Sequence, residues 1–347
     1  MPRKQHKTLP LSNANHSQPG DKPDASDWAK LSQILGPVQW DWPGWLPRGF
    51  LTILASEPGA GKSLLCLRLA ACYLHGVPEP ALSWPDSGPF TEQRGKVVWC
   101  ESEASHALNV ERANRWGLDL SQILIPLANP LHNFKLDNPQ HHAALLHLAR
   151  RESVRLVILD SLRGLRSGGS NAVPIGQLVL WLADFARIIG KPVLLTHHLR
   201  KRTNLDASER PSLDRLLGAS AIAQSARVIW AIDSPDPARP HHRRLSVIKN
   251  NLARFPEPVG MIIDEEGIHF GPPPEAPTRY SELDRAVDFL RDLLAAGPLP
   301  FIEIQAQYRA AGHSYGTIRR AKKRLAVASI RPSGVTEWYW TLPQEIE

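Results

Sequence analysis

The chain has 347 residues, 42% hydrophobic and 22% charged, with a formal net charge of +7. That length suits one large domain with a small one, or two ordinary domains, and no apolar run approaches the ~20 residues of a membrane span. The basic balance favours an anionic partner, while three cysteines and 14 histidines without metal-ligand spacing argue against a zinc site and for reduced thiols in a cytoplasm.

Residues 1–35 are polar, rich in Pro, Asn and Ser, and without the apolar core of a signal peptide, which predicts a disordered leader. "GPVQWDWPGWLPRG" (Gly36 to Gly49) reads as an ordered lead-in. From Phe50 to about Asp264, β-rich runs alternate with helical stretches: "FLTILA", "KVVWCE", "RLVILD", "KPVLLTH", "ARVIWAI", "RLSVIK" and "VGMIID". Their continuous hydrophobicity predicts strands covered on both faces. The expected class is α/β, with a mostly parallel central sheet in a domain spanning 36–270.

The first run leads into "SEPGAGKSLLCLRLAACYLHG", a turn followed by a helix. Its spacing approximates the phosphate-binding signature G-x-x-x-x-G-K-[ST], with Ser56 where the first glycine would stand. Glycines let successive backbone N–H groups turn inward, and the helix N-terminus adds its positive dipole end. The predicted cradle is Glu57, Pro58, Gly59, Ala60, Gly61, Lys62, Ser63 and Leu64. Lys62 can reach the β- and γ-phosphates of ATP, and the Ser63 hydroxyl can ligate Mg²⁺. Ser56 sits where the strand leaves the sheet, and it is small enough to be tolerated unless φ must be positive.

Such a cradle needs a carboxylate for the metal and a base for the attacking water. "KVVWCESEAS" ends a strand in Glu101 and Glu103; Glu103, beyond the strand, is the preferred base. "VRLVILDSLRGL" closes an apolar strand with Asp160, the expected metal carboxylate. "KPVLLTHHLRK" ends in His197 and His198, and His198 is placed to contact the γ-phosphate.

Residues 271–279, within "FGPPPEAPTR", predict a proline-rich linker. The remaining 280–347 read as three helices and a hairpin around Ser-Gly, a winged helix. On the third helix Ile318, Ala321 and Leu325 face inward, while Arg319, Arg320, Lys322, Lys323 and Arg324 crowd the rest. From Ser314 to Arg331 there are six Lys/Arg and no acid, which favours contact with duplex DNA over the alternatives of a protein docking module or a solvated charged face.

With these pieces in order, the chain resembles the RecA-type P-loop ATPases, in particular the branch of RepA-like hexameric plasmid helicases often labelled AAA-type. The resemblance runs from Val38 to Asp264 and rests on "GFLTILASEPGAGKS", "VVWCESEAS", "RLVILD", "LLTHHLRK", "LLGASAIAQSARVIWAI" and "LSVIKNN". It implies a RecA-like core using ATP and Mg²⁺, with Glu103 as catalytic glutamate and His198 as sensor. It implies a homo-oligomeric ring or filament in which a neighbour contributes a basic residue to each site. Where the family often carries Lys-x-Arg, "KNNLARF" offers Lys249 with asparagine in the arginine's place, and Arg254 further on. The loops after Asp160 (Arg163, Arg166) and after His198 (Arg200, Lys201, Arg202, Arg210, Arg215) would face single-stranded DNA. The expected function is a Mg²⁺-dependent, DNA-stimulated ATP hydrolase, a helicase-like factor of plasmid or phage replication or recombination. The alternative is an ATP-switched DNA-binding regulator without motor activity.

Overall fold

The computed structural model describes residues 27–34, 36–77, 83–103, 105–167, 173–200, 211–216, 219–236, 239–274 and 282–343. The reading of 1–35 as a leader without structure fails at its end, where Trp28–Ile34 forms a helix, α1, with no residue buried. Asp27 starts it by accepting the Lys30 N–H at 2.8 Å. Residues 1–26 and 35 lie outside the described residues.

The tryptophan-rich lead-in folds as an antiparallel ribbon, β1 (Trp40–Trp42) and β2 (Leu46–Pro47). It delivers Trp42 and Trp45 to the core, stacked with centroids 4.5 Å apart. Trp230 meets both edge-on, and its Nε1 donates to the Trp45 carbonyl at 3.1 Å, so the indole is buried without an unmet N–H.

Among the described residues nine strands form the main sheet: β3 (Leu51–Ser56), β4 (Lys96–Glu101), β5 (Ile123–Leu124), β6 (Val154–Asp160), β7 (Val193–His198), β8 (Val228–Asp233), β9 (His242–Asn250), β10 (Val259–Ile263) and β11 (Ile268–Gly271). Their order is β11-β10-β9-β8-β3-β7-β6-β4-β5. The pairs from β5 across to β8 are parallel, and β9 to β11 extend the sheet antiparallel. Every residue of β3 and β8 is buried, as strands covered on both faces require.

Alternate residues of β3 serve opposite cores. Leu54 packs on the side of α2 (Lys62–Tyr73) and α3 (His106–Arg115), whereas Ile53 and Ala55 face α4 (Pro139–Ala149), α5 (Ile175–Ile189) and α6 (Ala219–Ser225). The free thiols of Cys66, Cys72 and Cys100 are buried, and desolvation pushes each above its ordinary pKa.

The chain divides into two compact units, residues 1–276 and 277–347. In the second, α7 (Glu282–Leu294), α8 (Phe301–Ala310) and α9 (Tyr315–Arg324) enclose Leu290, Ile304, Tyr308, Ile318 and Ala321. Beside them β12 (Leu299–Pro300), β13 (Ala328–Ile330) and β14 (Tyr339–Thr341) form an antiparallel sheet with β14 in the middle. Ser314 caps α9, its Oγ accepting the Thr317 N–H at 3.1 Å. Between β13 and β14 the chain turns at Pro332–Val335, with Gly334 at φ +84°. Among the described residues no helix is long and apolar enough to cross a membrane.

Candidate nucleotide site

The cradle begins where β3 ends. Ser56 is fully buried and needs no left-handed backbone, which is why a serine fits there. Gly61 does need one: it holds φ +90° as the N-cap of α2, and a Cβ on it would lie 2.4 Å from Ile263 Cδ1. Among the described residues no side chain caps this helix. Its first internal bond is Leu65 N–H to the Gly61 carbonyl at 2.9 Å, so the amides of Lys62, Ser63 and Leu64 have no intrahelical acceptor. Orphan amides at the positive end of a 12-residue helix are suited to phosphate. Lys62 Nζ donates to Ser56 Oγ at 3.1 Å and to the Glu57 carbonyl at 3.4 Å. Ser56 therefore does more than fill a gap, because it parks the lysine at the mouth of the cradle. Burial lowers the Lys62 pKa, against the supporting charges of Asp160 and Glu103.

Asp160, 3% exposed, closes β6. β7 lies between β3 and β6, and Thr196 of β7 bridges the gap by donating its hydroxyl to Asp160 Oδ1. The other oxygen, Oδ2, is buried without a hydrogen-bond partner among the described residues. A buried carboxylate oxygen with no donor fits a metal ion or its water shell, since leaving it unmet is costly. With Ser63 on the first turn of α2, the donor set suits Mg²⁺.

The two glutamates after β4 are in different environments. Glu101 is buried, and desolvation raises its pKa. Its oxygens accept from the amides of Ser102 (3.2 Å) and Glu103 (2.8 Å) and from Asn109 Nδ2 (3.0 Å), so it organises the loop. Glu103 is partly open to solvent. Its Oε1 accepts from Ser161 Oγ and lies 3.3 Å from His198 Nε2, whereas Oε2 makes no hydrogen bond among the described residues. Burial acts to raise its pKa, but the bonds from Ser161 and His198 and the charges of His198 and Lys62 outweigh it, and the net shift is downward. Lys62, Asp160, Glu103 and His198 thus belong to one electrostatic and hydrogen-bonded group at the sheet's C-terminal edge.

The other candidate residues have varied surroundings. Arg215 is tied to the cradle, its Nη2 donating to Glu57 Oε1 at 2.6 Å. Arg243, at the start of β9, also reaches the cradle, with its Nη1 3.0 Å from where a Gly61 Cβ would be. Neither contact has a local sequence signal. Lys249 is engaged within its own chain. It donates to the carbonyls of Ala223 and, at 2.6 Å, Ala226, which are the acceptors left open at the end of α6. Arg254 is exposed, with no hydrogen bond or ion pair among the described residues. On α9, Lys322 is drawn onto Ser329 and the Trp340 ring, and Arg324 pairs with Asp284 at 2.7 Å. Arg319, Arg320 and Lys323 remain exposed. Arg163 and Arg200 are exposed, and Arg166 is partly buried; Lys201, Arg202 and Arg210 lie outside the described residues.

The family model described as "AAA domain" matches residues 17–204, more than half of the chain. No curated protein matches. Among solved structures, a DnaB-like replicative helicase is similar, with a TM-score of 0.50 and 15% identity over 72% of this chain and 68% of that one. At that identity the likeness concerns the fold, which is RecA-like around a large, mostly parallel sheet. The cradle at the end of β3 and the matched segment agree on one assignment: the chain belongs to the AAA-domain family.

Proposed function

We propose that the protein is a Mg²⁺-dependent ATPase coupled to DNA, a helicase-like factor of plasmid or phage replication or recombination that works as a homo-oligomer in the cytoplasm. The observation that carries this reading is the orphaned Asp160 Oδ2 buried beside an uncapped, glycine-led helix N-terminus. The amides from Gly59 to Leu64 and the Lys62 ammonium hold the phosphates, and Ser63 and Asp160 hold Mg²⁺. Mg²⁺ when bound neutralises phosphate charge and orients the oxygens. Glu103, ionised at neutral pH, takes the proton of the attacking water at its free Oε2, while Ser161 and His198 fix Oε1. His198 senses the γ-phosphate. Arg254 of a neighbouring copy is the trans-acting candidate, a role supported by its exposure and by the internal engagement of Lys249.

The C-terminal unit supports a winged-helix reading through its order of helix, strand, two helices and two strands. Arg319, Arg320 and Lys323, outward on α9, suit duplex phosphates, and the loops bearing Arg163 and Arg200 suit single strands.

The test is ATP turnover without nucleic acid, with single-stranded DNA and with duplex, on one preparation, repeated after deleting Tyr280–Glu347. A motor shows turnover raised many-fold by single strands, and the deletion removes duplex affinity. Turnover indifferent to single strands, with duplex binding retained, identifies an ATP-switched regulator. Absence of turnover under all three conditions overturns the proposal.

A further inference from the structure

A cleft of about 200 Å³ runs along the cradle, bounded by Glu57, Gly59, Arg215, Asp233, Pro240 and Arg243. Its acids already have cationic partners: Glu57 takes Arg215, and Asp233 takes Arg244 through two bonds of 3.1 and 2.8 Å. Arg243 is left over. Among the described residues its one hydrogen bond runs from Nε to the Pro240 carbonyl at 3.3 Å, and no carboxylate meets its guanidinium. Burial lowers its pKa, and no acid offsets that effect.

The position is not a loose one. Arg243 pairs with Met261 across β9 and β10, and Ile263 at the end of β10 packs against Gly61. Together they bring the guanidinium to Gly61 at the start of α2, beside the helix's positive end. Two positive loci brought together at a partly buried place repel one another until an anion with several oxygens joins them. A planar guanidinium fork is well matched to phosphate.

Sheet order decides which phosphates are meant. Glu103 and His198 gather on the side of β7, β6 and β4, where the bond to the γ-phosphate breaks in the proposed reaction. Arg243 enters from the opposite side of β3, past β8. We infer that Arg243 grips the α- and β-phosphates of the nucleotide held by its own chain, an inference that rests on the proposed ATP site.

The experiment titrates the full chain, with Mg²⁺, with fluorescent ADP and ATP analogues, comparing wild type, Arg243→Ala and Arg243→Lys. Arg243→Ala should weaken ADP and ATP alike, by about ten- to a hundredfold, as expected for losing a charge-assisted phosphate contact. Arg243→Lys should recover part of the loss, because it keeps the charge without the fork. Nucleotide-free thermal melts confirm folding, and the lysine variant carries the comparison if the alanine variant misfolds. Wild-type affinity for ADP in Arg243→Ala would overturn the inference, and so would a loss confined to ATP. If the wild-type chain binds neither nucleotide, the ATP site itself falls and takes this inference with it.

Discussion

Glu103→Gln separates chemistry from binding at the proposed site. Glu103 keeps Oε1 on Ser161 and His198 and leaves Oε2 without a partner, so the amide can preserve the first contacts while losing the basic oxygen. Its pKa is depressed, so the wild-type side chain is ionised at neutral pH, the form in which a base can take up a proton. Removing a positioned general base costs about 10²- to 10⁴-fold in rate. Single-turnover phosphate release at saturating ATP should fall by that amount, while the dissociation constant for ATP stays within about threefold, the margin left by a bystander side chain. Turnover within about threefold of wild type would refute the assignment. Equal losses in rate and affinity would do so too, by making Glu103 a binding residue.

Arg254→Ala should reduce turnover of the assembled protein by about 10³-fold or more if a neighbour's arginine completes each site; mixing it with Glu103→Gln subunits should restore activity at mixed boundaries, and no recovery would count against the trans role. Trp45→Ala removes a fully buried indole stacked on Trp42 and should lower unfolding free energy by about 3–5 kcal/mol in urea titrations, a loss below ~1 kcal/mol contradicting the packing. His142 lies 3.6 Å from the Trp181 ring centre to centre, and burial lowers its pKa to about 4. The unfolded chain therefore binds a proton that the folded chain refuses between pH 6.5 and about 4, so stability should fall as pH drops through that window. His142→Phe should flatten the slope in pH-dependent thermal melts, and an unchanged slope would refute this.

The strands that build the site were readable because burial on both faces leaves unbroken apolar runs, and a polar residue marks each exit. "RLVILD" covers all of β6 but Val154 and ends at Asp160, and "KPVLLTH" covers β7 up to His197. Strands of two to four residues such as β2, β5 and β11 are too short to carry a period, and they form because a neighbour offers an edge. Ser56 could be judged tolerable from its place in the motif, but its bond to Lys62 depends on how the lysine folds back. Arg215 looked like one more basic loop residue, because its partner Glu57 is 158 positions away. Arg243 reaches the cradle only through the β9–β10 pairing. On α9 the sequence displays the charges, but Asp284 and Trp340, on other elements, decide which of them stay available.

Calorimetric titration of the full chain with ATP, with and without Mg²⁺, tests the central claim most directly. One ATP per chain should bind in the presence of Mg²⁺, at least about tenfold more weakly in its absence, and not measurably to Lys62→Ala. No binding by the wild-type chain, or undiminished binding by Lys62→Ala, would contradict it.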